Sequence, residues 1–394
     1  MAACASLFSQ ILAFFPRDVF DKVARKYQAD KHSKGFTCWD QFVAMLFCQL
    51  AQAKSLREIC GGLACCLGKL KHLGVQDAPK RSTLSYANEH RPWEVYQDLF
   101  YHLLGRCQAV AATKKRRFKF KNKLLSLDAS VIELCAEMFP WAEYRTTKGA
   151  VKLHLLLDHD GYLPTYALIT EGKKADVTVA QELKLPAGSI VVMDRGYNDY
   201  SLFGSWTANK VYFVTRLKTN AVYEVLEQRV PPQNRNILSD EIIQLTGEYA
   251  DEKCPKPLRK VVAWDPVKEE EITFLTNNLK LGASTIAAIY KDRWQIEVFF
   301  KELKQNLKVK TFVGTSSNAL RTQIWTALIA MLVLKYLQLK SQISWSLSNL
   351  VAMLRWNLFT YRNLWEWIDR PYDTPPHVPL DFSQLTLCWT ADAS

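Results

Sequence analysis

The sequence has no apolar stretch of the roughly 20 residues that a bilayer-spanning helix needs. Its longest, Ile324–Leu334 (IWTALIAMLVL), stops at Lys335 and reads as a buried helix. It also lacks the start of an export signal: no basic residue precedes Arg17, and Ser9 and Gln10 interrupt the apolar residues of the opening stretch. A cytoplasmic location without a membrane partner is the expectation. Ten cysteines are present, yet they form no disulfide framework or zinc motif. Cys60 and Cys65–Cys66 have no companion cluster at ligand spacing, and Cys48 lies in an apolar, helix-like stretch as a small buried hydrophobe. Reduced thiols follow if the chain is not exported. Internal repeats are absent. An acidic surplus is absent too: 51 Lys+Arg against 39 Asp+Glu leave a formal charge of +12. That surplus fits a polyanionic partner, because each neutralised phosphate releases counterions, or simply a basic soluble protein. With 48% hydrophobic and 23% charged residues, the chain can bury real cores.

At 394 residues two or three domains are expected, taking about 100–200 residues each. Residues 1–110 read as a helical DNA-binding domain, with Phe42, Met45, Leu46 and Leu50 at helical spacing. Within it, Lys80-Arg81 before Ser82-Thr83 marks a helix start that could read DNA in a helix-turn-helix. The run Thr113–Lys123 (TKKRRFKFKNK) follows, including Lys114, Lys115, Arg116, Arg117 and Lys119. As an extended strand it would show one basic and one aromatic face, suited to phosphates; a solvated linker is the alternative. From Leu124 the pattern becomes strands: Leu124–Asp128, Val151–Leu157 and Tyr162–Ile169, with Asp160-Gly161 as a hairpin signal between the last two. A helix near Asp176–Leu183, a strand Ile190–Met193, a helix Tyr200–Ala208 and a strand Val211–Leu217 complete a mixed α/β sheet over 111–219. Residues 220–281 read as a β-rich insertion with strands at Lys260–Trp264 and Glu271–Leu275. The core then resumes over 282–342, followed by a helical C-terminal region and irregular tail at 343–394.

Two acids, Asp128 and Asp194, end apolar strand segments, at the lip where open α/β sheets build sites. Either alone would suit a turn or cap; together their oxygens suit a hard cation such as Mg²⁺. The third element is more specific. Residues 290–304 read Y-x2-R-x3-E-x6-K, namely Tyr290, Arg293, Glu297 and Lys304. At roughly 100° per residue these positions fall at about 0°, 300°, 340° and 320°, with Lys301 at about 20° beside them. A carboxylate ringed by Arg, Lys and Tyr fits a metal ligand with phosphate clamps; an exposed helix with i,i+4 ion pairs is the plainer alternative.

Asp128 in SLDAS, Asp194 in VMDRGYND and the Tyr290–Lys304 segment together resemble the three acidic motifs of the DDE transposases of insertion-sequence family four. The resemblance implies an RNase H-like core interrupted by a β-rich insertion, and Asp128, Asp194 and Glu297 as catalytic ligands for two Mg²⁺ ions, with Mn²⁺ able to substitute. It implies that Arg293 and Lys304 hold phosphates, with Lys301 a weaker candidate, and that Tyr290 supports the backbone. Arg195, beside the second aspartate, joins the expected DNA contacts. An aromatic of the insertion would hold a flipped base by stacking, and Trp264 is the candidate, against a plain core role. The expected activity is cut-and-paste transposition of double-stranded DNA by a homodimer. An RNase H-like nuclease that does not join ends, or a regulator descended from a transposase, are the other readings. His154 and His159 are left outside the site.

Overall fold

The computed structural model describes residues 5–66, 68–135, 137–145, 148–233, 236–246 and 249–373. Most of the tail expected to be irregular, from 374 on, lies outside the described residues. The first helices are α1 (Leu7–Leu12), α2 (Arg17–Lys26), α3 (Cys38–Leu50), α4 (Leu56–Ala64), α5 (Arg81–His90) and α6 (Glu94–Ala111). They are bounded by ordinary helix chemistry: at α3 the Thr37 hydroxyl accepts from the Asp40 amide while the Asp40 carboxylate accepts from the Thr37 amide.

Strands β1 (Leu124–Cys135), β2 (Glu143–Arg145), β3 (Lys148–Asp158) and β4 (Leu163–Glu171) follow. Then come α7 (Asp176–Glu182), β5 (Ile190–Met193), α8 (Tyr200–Ala208) and β6 (Tyr212–Arg216). In space β4, β3 and β1 form an antiparallel meander, and β5 and β6 add to β1 in parallel. This is the RNase H-like arrangement expected from the sequence, with β2 as an added rung beside β3. The insertion supplies β7 (Tyr223–Arg229), β8 (Ile237–Leu245), a short α9 (Ala250–Lys253), β9 (Leu258–Asp265) and β10 (Glu270–Thr276). It is no separate sheet: β10 pairs antiparallel with β6, so the order runs on as β6-β10-β9-β8-β7.

The remaining helices are α10 (Ala283–Asp292), α11 (Trp294–Asn306), α12 (Ser317–Lys340), α13 (Leu347–Asn357) and α14 (Leu364–Asp369). The apolar run around Ile324–Leu334 sits in α12, whose full 24 residues would be long enough to span a bilayer, yet 83% of its most apolar window is buried inside the protein. It packs on α3, α5 and α6, and being apolar on all sides it belongs at the centre of a core. One hydrophobic cluster therefore joins residues of α1–α6 with α11–α14 and the outer face of β3. The expected helical unit 1–110 shares its core with helices from the other end of the chain.

Side-chain alternation divides the sheet. Leu125, Leu127, Val191 and Met193 face α7 and α8, whereas Leu124, Ile190 and Val192 face α10 through Ala283, Ile286 and Ile289. Further along the same face of β1, Ile132 and Leu134 meet the cluster that includes α11. Asp128 lies between these two apolar patches, at a seam that neither fills.

Candidate active site

The parallel ladder of β1 and β5 pairs Leu124 with Ile190 and ends with Leu127 opposite Met193. Asp128 and Asp194 are the next residue on each strand, and by alternation both project to the face carrying α10 and α11. Neighbouring strands lie about 4.8 Å apart, so register alone sets the two acids abreast. One expectation needs correction. Asp128 does not end its strand; β1 continues to Cys135 against β3. What ends at Asp128 is the parallel partner, and that leaves this stretch of β1 open on the β5 side.

The third motif is also less regular than one ideal helix. Arg293 separates α10 from α11 and is helical in conformation (φ −53°, ψ −33°). The amides of Arg293 and Ile296 donate to carbonyls three residues back, those of Tyr290 and Arg293, which tightens the turn and breaks the even 100° count. Its consequence is a divergence of the four side chains. The Tyr290 hydroxyl donates to Asp194 Oδ1 at 3.4 Å, and its ring packs on Phe274 with the Arg293 guanidinium 5.4 Å from its centre. Arg293 donates to Glu297 Oε1 at 2.7 Å. Lys304 instead reaches β1, where its amine donates to the Val131 carbonyl at 2.8 Å, and burial lowers its pKa. Lys301 is exposed.

Charge balance explains the behaviour of Asp128. Among the described residues it accepts one hydrogen bond, from the Ala129 amide at 2.8 Å. Burial, reinforced by Glu297 and Asp194, pushes its carboxyl up to about 6, although the Ala129 bond and Arg293 oppose the change. Three acids face one guanidinium here. Burial beside Asp128, Asp176 and Asp194 also raises the Tyr197 phenol, and neither its hydroxyl nor Arg293 Nε has a hydrogen-bond partner among the described residues. Like charges held together with unmatched polar atoms suit a divalent cation, and three hard carboxylate oxygens are its usual donors. The set is not closed: no three acidic, histidine or cysteine side chains among the described residues stand at ligating distance, and Glu297 is turned to Arg293. A metal would compete with Arg293 for Glu297.

Around this centre the remaining expected residues scatter. Arg195 is exposed beside Asp194, whose carbonyl accepts from the Thr215 hydroxyl at 3.2 Å. Trp264, on β9, is 40% exposed rather than core. It lines a groove of about 470 Å³ with Tyr290, Arg293 and Trp294, the last 59% exposed. Trp294 escaped the sequence reading, since a tryptophan inside a helical motif looks like core. The run at 113–123 forms no strand, but its burial does alternate: Arg117, Lys119 and Lys121 are exposed while Phe118 and Phe120 stack together at 5.3 Å and pack under α10. Lys114, Lys115 and Lys119 are exposed. Arg116 pairs with Asp160 at 2.9 Å and Arg117 with the buried Asp292. Helix α5 presents Arg81, Ser82, Ser85 and Tyr86 outward, although Cys65–Lys80 separate it from α4, much longer than the usual three- or four-residue turn of a helix-turn-helix.

A family model described as the transposase DDE domain matches residues 119–333, more than half of the chain. The chain belongs to the DDE transposases. A second model, a domain of unknown function (DUF4372), matches residues 3–76. Among curated relatives, a putative transposase (y4zB) of Sinorhizobium fredii is 30% identical over 309 residues, 77% of this chain and 83% of that protein. A probable transposase for insertion sequence element IS5377 of Geobacillus stearothermophilus is 28% identical over 68% of this chain and 70% of its own length. Transposase InsG for insertion sequence element IS4 of Escherichia coli is 21% identical over 48% of this chain and 44% of its own length. As a DDE transposase the protein is an enzyme acting on DNA, and its family chemistry depends on a divalent metal.

Proposed function

We propose that Asp128, Asp194 and Glu297 are the catalytic acids of a cut-and-paste transposase and hold two Mg²⁺ ions, with Mn²⁺ able to replace them. The observation that carries this reading is the register of β1 and β5, which brings Asp128 and Asp194 abreast on the face that also receives Glu297. Two such ions would supply Lewis-acid stabilisation of the attacking and leaving oxygens of an in-line phosphoryl displacement. The chain's own groups do the rest. Arg293 leaves Glu297 for a backbone phosphate when the acid is needed elsewhere, and Tyr290 fixes Asp194. Lys301, Lys304 and Arg195 extend the phosphate contacts, while Lys114, Lys115 and Lys119 add exposed charge in the segment leading into β1. Arg116 and Arg117 reach DNA only from their ion pairs. Trp264, with Trp294 facing the same groove, offers an aromatic surface where a base extruded from the element end would stack. The acting species is a homodimer that holds two ends in the cytoplasm.

The test uses the full chain and duplex DNA carrying the ends that flank its gene, with Mg²⁺ or EDTA. Metal-dependent cuts at the element boundary, followed by joining to a target plasmid, support the proposal. Cuts without joining would instead indicate a nuclease, and binding without cuts a regulator.

A further inference from the structure

Beneath the site lies a buried polar chain that none of the expected roles uses. Ser126, two residues before Asp128 on β1, has no exposed surface, and its Oγ is 2.7 Å from His159 Nε2. His159 Nδ1 is 2.6 Å from Asp292 Oδ2. Asp292 is the last residue of α10 and immediately precedes Arg293. Its carboxylate can only accept, so Nδ1 carries the hydrogen, and in the neutral ring Nε2 then accepts from the Ser126 hydroxyl. Arg117 and the Tyr162 hydroxyl, the latter at 3.3 Å from Oδ2, also donate to Asp292. The side chains of Asp292 and His159 are 1% and 5% exposed.

The order Ser–His–Asp invites a nucleophile, and the packing rejects it. Ser126 lies inside the sheet, paired with Leu157 on one side and Val192 on the other, where no substrate can reach it. The turn that presents His159 is tightly determined. Gly161 and Tyr162 both adopt positive φ (+82° and +51°), and a Cβ on Gly161 would come within 2.9 Å of Ala111 on α6. The left-handed region is unfavourable for a non-glycine residue, and here that conformation aims the Tyr162 hydroxyl at Asp292.

We propose that Ser126, His159 and Asp292 are positioning residues that tie the α10–α11 junction to β1, and thereby set Arg293 and Glu297 against Asp128. Besides this tie, only packing and the Lys304 bond to the Val131 carbonyl, at the far end of α11, fix how that helix lies over β1, since helix and strand come from segments far apart in the chain. Arg117 docks the basic segment before β1 onto the same carboxylate, so the segment that leads into the catalytic strand and the helix carrying Glu297 meet at one point.

This inference rests on the assignment of Glu297 as catalytic, and the experiment separates the two. His159→Leu, Asp292→Asn, their double variant, Ser126→Ala and Glu297→Ala are compared in single-turnover cleavage at saturating end DNA, across Mg²⁺ concentrations. Thermal midpoints and DNA affinity are measured alongside, and Phe203→Leu, on the opposite sheet face, serves as a control for lost stability. His159→Leu and Asp292→Asn are each expected to slow cleavage about 10–100-fold and to raise the Mg²⁺ midpoint, as loss of groups that orient metal ligands does. DNA affinity should stay within about twofold. The double variant should fall within about threefold of either single one, because both break the same chain. If these variants do not fold, Ser126→Ala decides, with an expected loss of about 10-fold. Rates that fall no further than in Phe203→Leu, or that combine additively, overturn the tie. Parental cleavage by Glu297→Ala would overturn the site assignment itself.

Discussion

Replacing Asp128 by asparagine is expected to abolish cleavage and at the same time stabilise the metal-free protein. An ordinary aspartate ionises near 3.8, whereas burial and two neighbouring acids move Asp128 to about 6. Each pH unit between those values corresponds to about 1.4 kcal/mol, so the ionised carboxylate costs the fold about 3 kcal/mol at pH 7.5. Asparagine keeps an oxygen for the Ala129 amide and removes the charge. For 394 residues, an unfolding entropy of about 2.1 cal/mol/K per residue converts 3 kcal/mol into a rise in Tm of about 3–4 °C. The pH dependence carries the sign. Because the folded-state value is raised, the parent's penalty is absent below about 4, grows from there to 6 and is complete above it. The gap between variant and parent should therefore close as pH falls from 7.5 to 4. Adding Mg²⁺ in EDTA-free buffer should raise the parent's Tm more than the variant's. Scanning calorimetry of both proteins at pH 4, 5, 6 and 7.5 checks all of this. A variant less stable than the parent at pH 7.5, or a gap independent of pH, would refute the account of Asp128 as a strained ligand.

Four further outcomes are expected. Asp194→Ala and Glu297→Ala should each lower cleavage in Mg²⁺ by at least about a thousandfold while gel-shift affinity for end DNA changes little, the pattern of groups that act only in the chemical step. Lys114→Gln and Lys119→Gln should each reduce the slope of log affinity against log salt by about 1 without moving Tm. Arg117→Gln should lower Tm as well, because it leaves Asp292 buried with less compensation, at a cost of about 1–3 kcal/mol. Trp264→Ala should weaken a stacking contact of about 1–3 kcal/mol, read as a loss of about 5–150-fold in cleavage of duplex ends and a smaller loss on ends already unpaired.

Much of the sheet was legible because strand order followed from local signals. The short apolar runs of β3, β4, β5 and β6, the Asp160-Gly161 turn and the helices between them appear close to their expected bounds, whereas β1 runs seven residues past its expected end at Asp128. The register of β1 on β5 was not legible, yet it is what sets the two aspartates abreast. That register depends on which residues of Leu124–Leu127 and Ile190–Met193 pack best against helices on both faces, a long-range choice. Helix α12 shows the same limit in another form. Its composition announced burial, but its partners α3, α5 and α6 lie more than 200 residues away in sequence. Residue type alone makes Trp264 and His159 read as structural, and in both cases the surroundings decide. Trp264 lies open on a groove, and His159 is buried between a serine and an aspartate that no spacing rule would link to it.

The acids and the basic residues of the motif are arranged so that neither set is satisfied at once. Arg293 holds Glu297 at 2.7 Å, so Asp128 feels that guanidinium only at a distance, beside a backbone amide and two other carboxylates. Drawing Glu297 toward Asp128 would release the guanidinium, whose Nε is already buried without a hydrogen-bond partner among the described residues. A phosphodiester is the anion that could then take Glu297's place on Arg293, while a divalent cation relieves the three acids. On the roles proposed for Glu297 and Arg293, each binding event would remove an obstacle to the other: the cation would free Arg293 for phosphate, and the phosphate would free Glu297 for the cation. Coupling of this kind is reciprocal, so the same geometry that raises Asp128 predicts that end DNA and Mg²⁺ bind with positive cooperativity, and that Arg293→Ala weakens it.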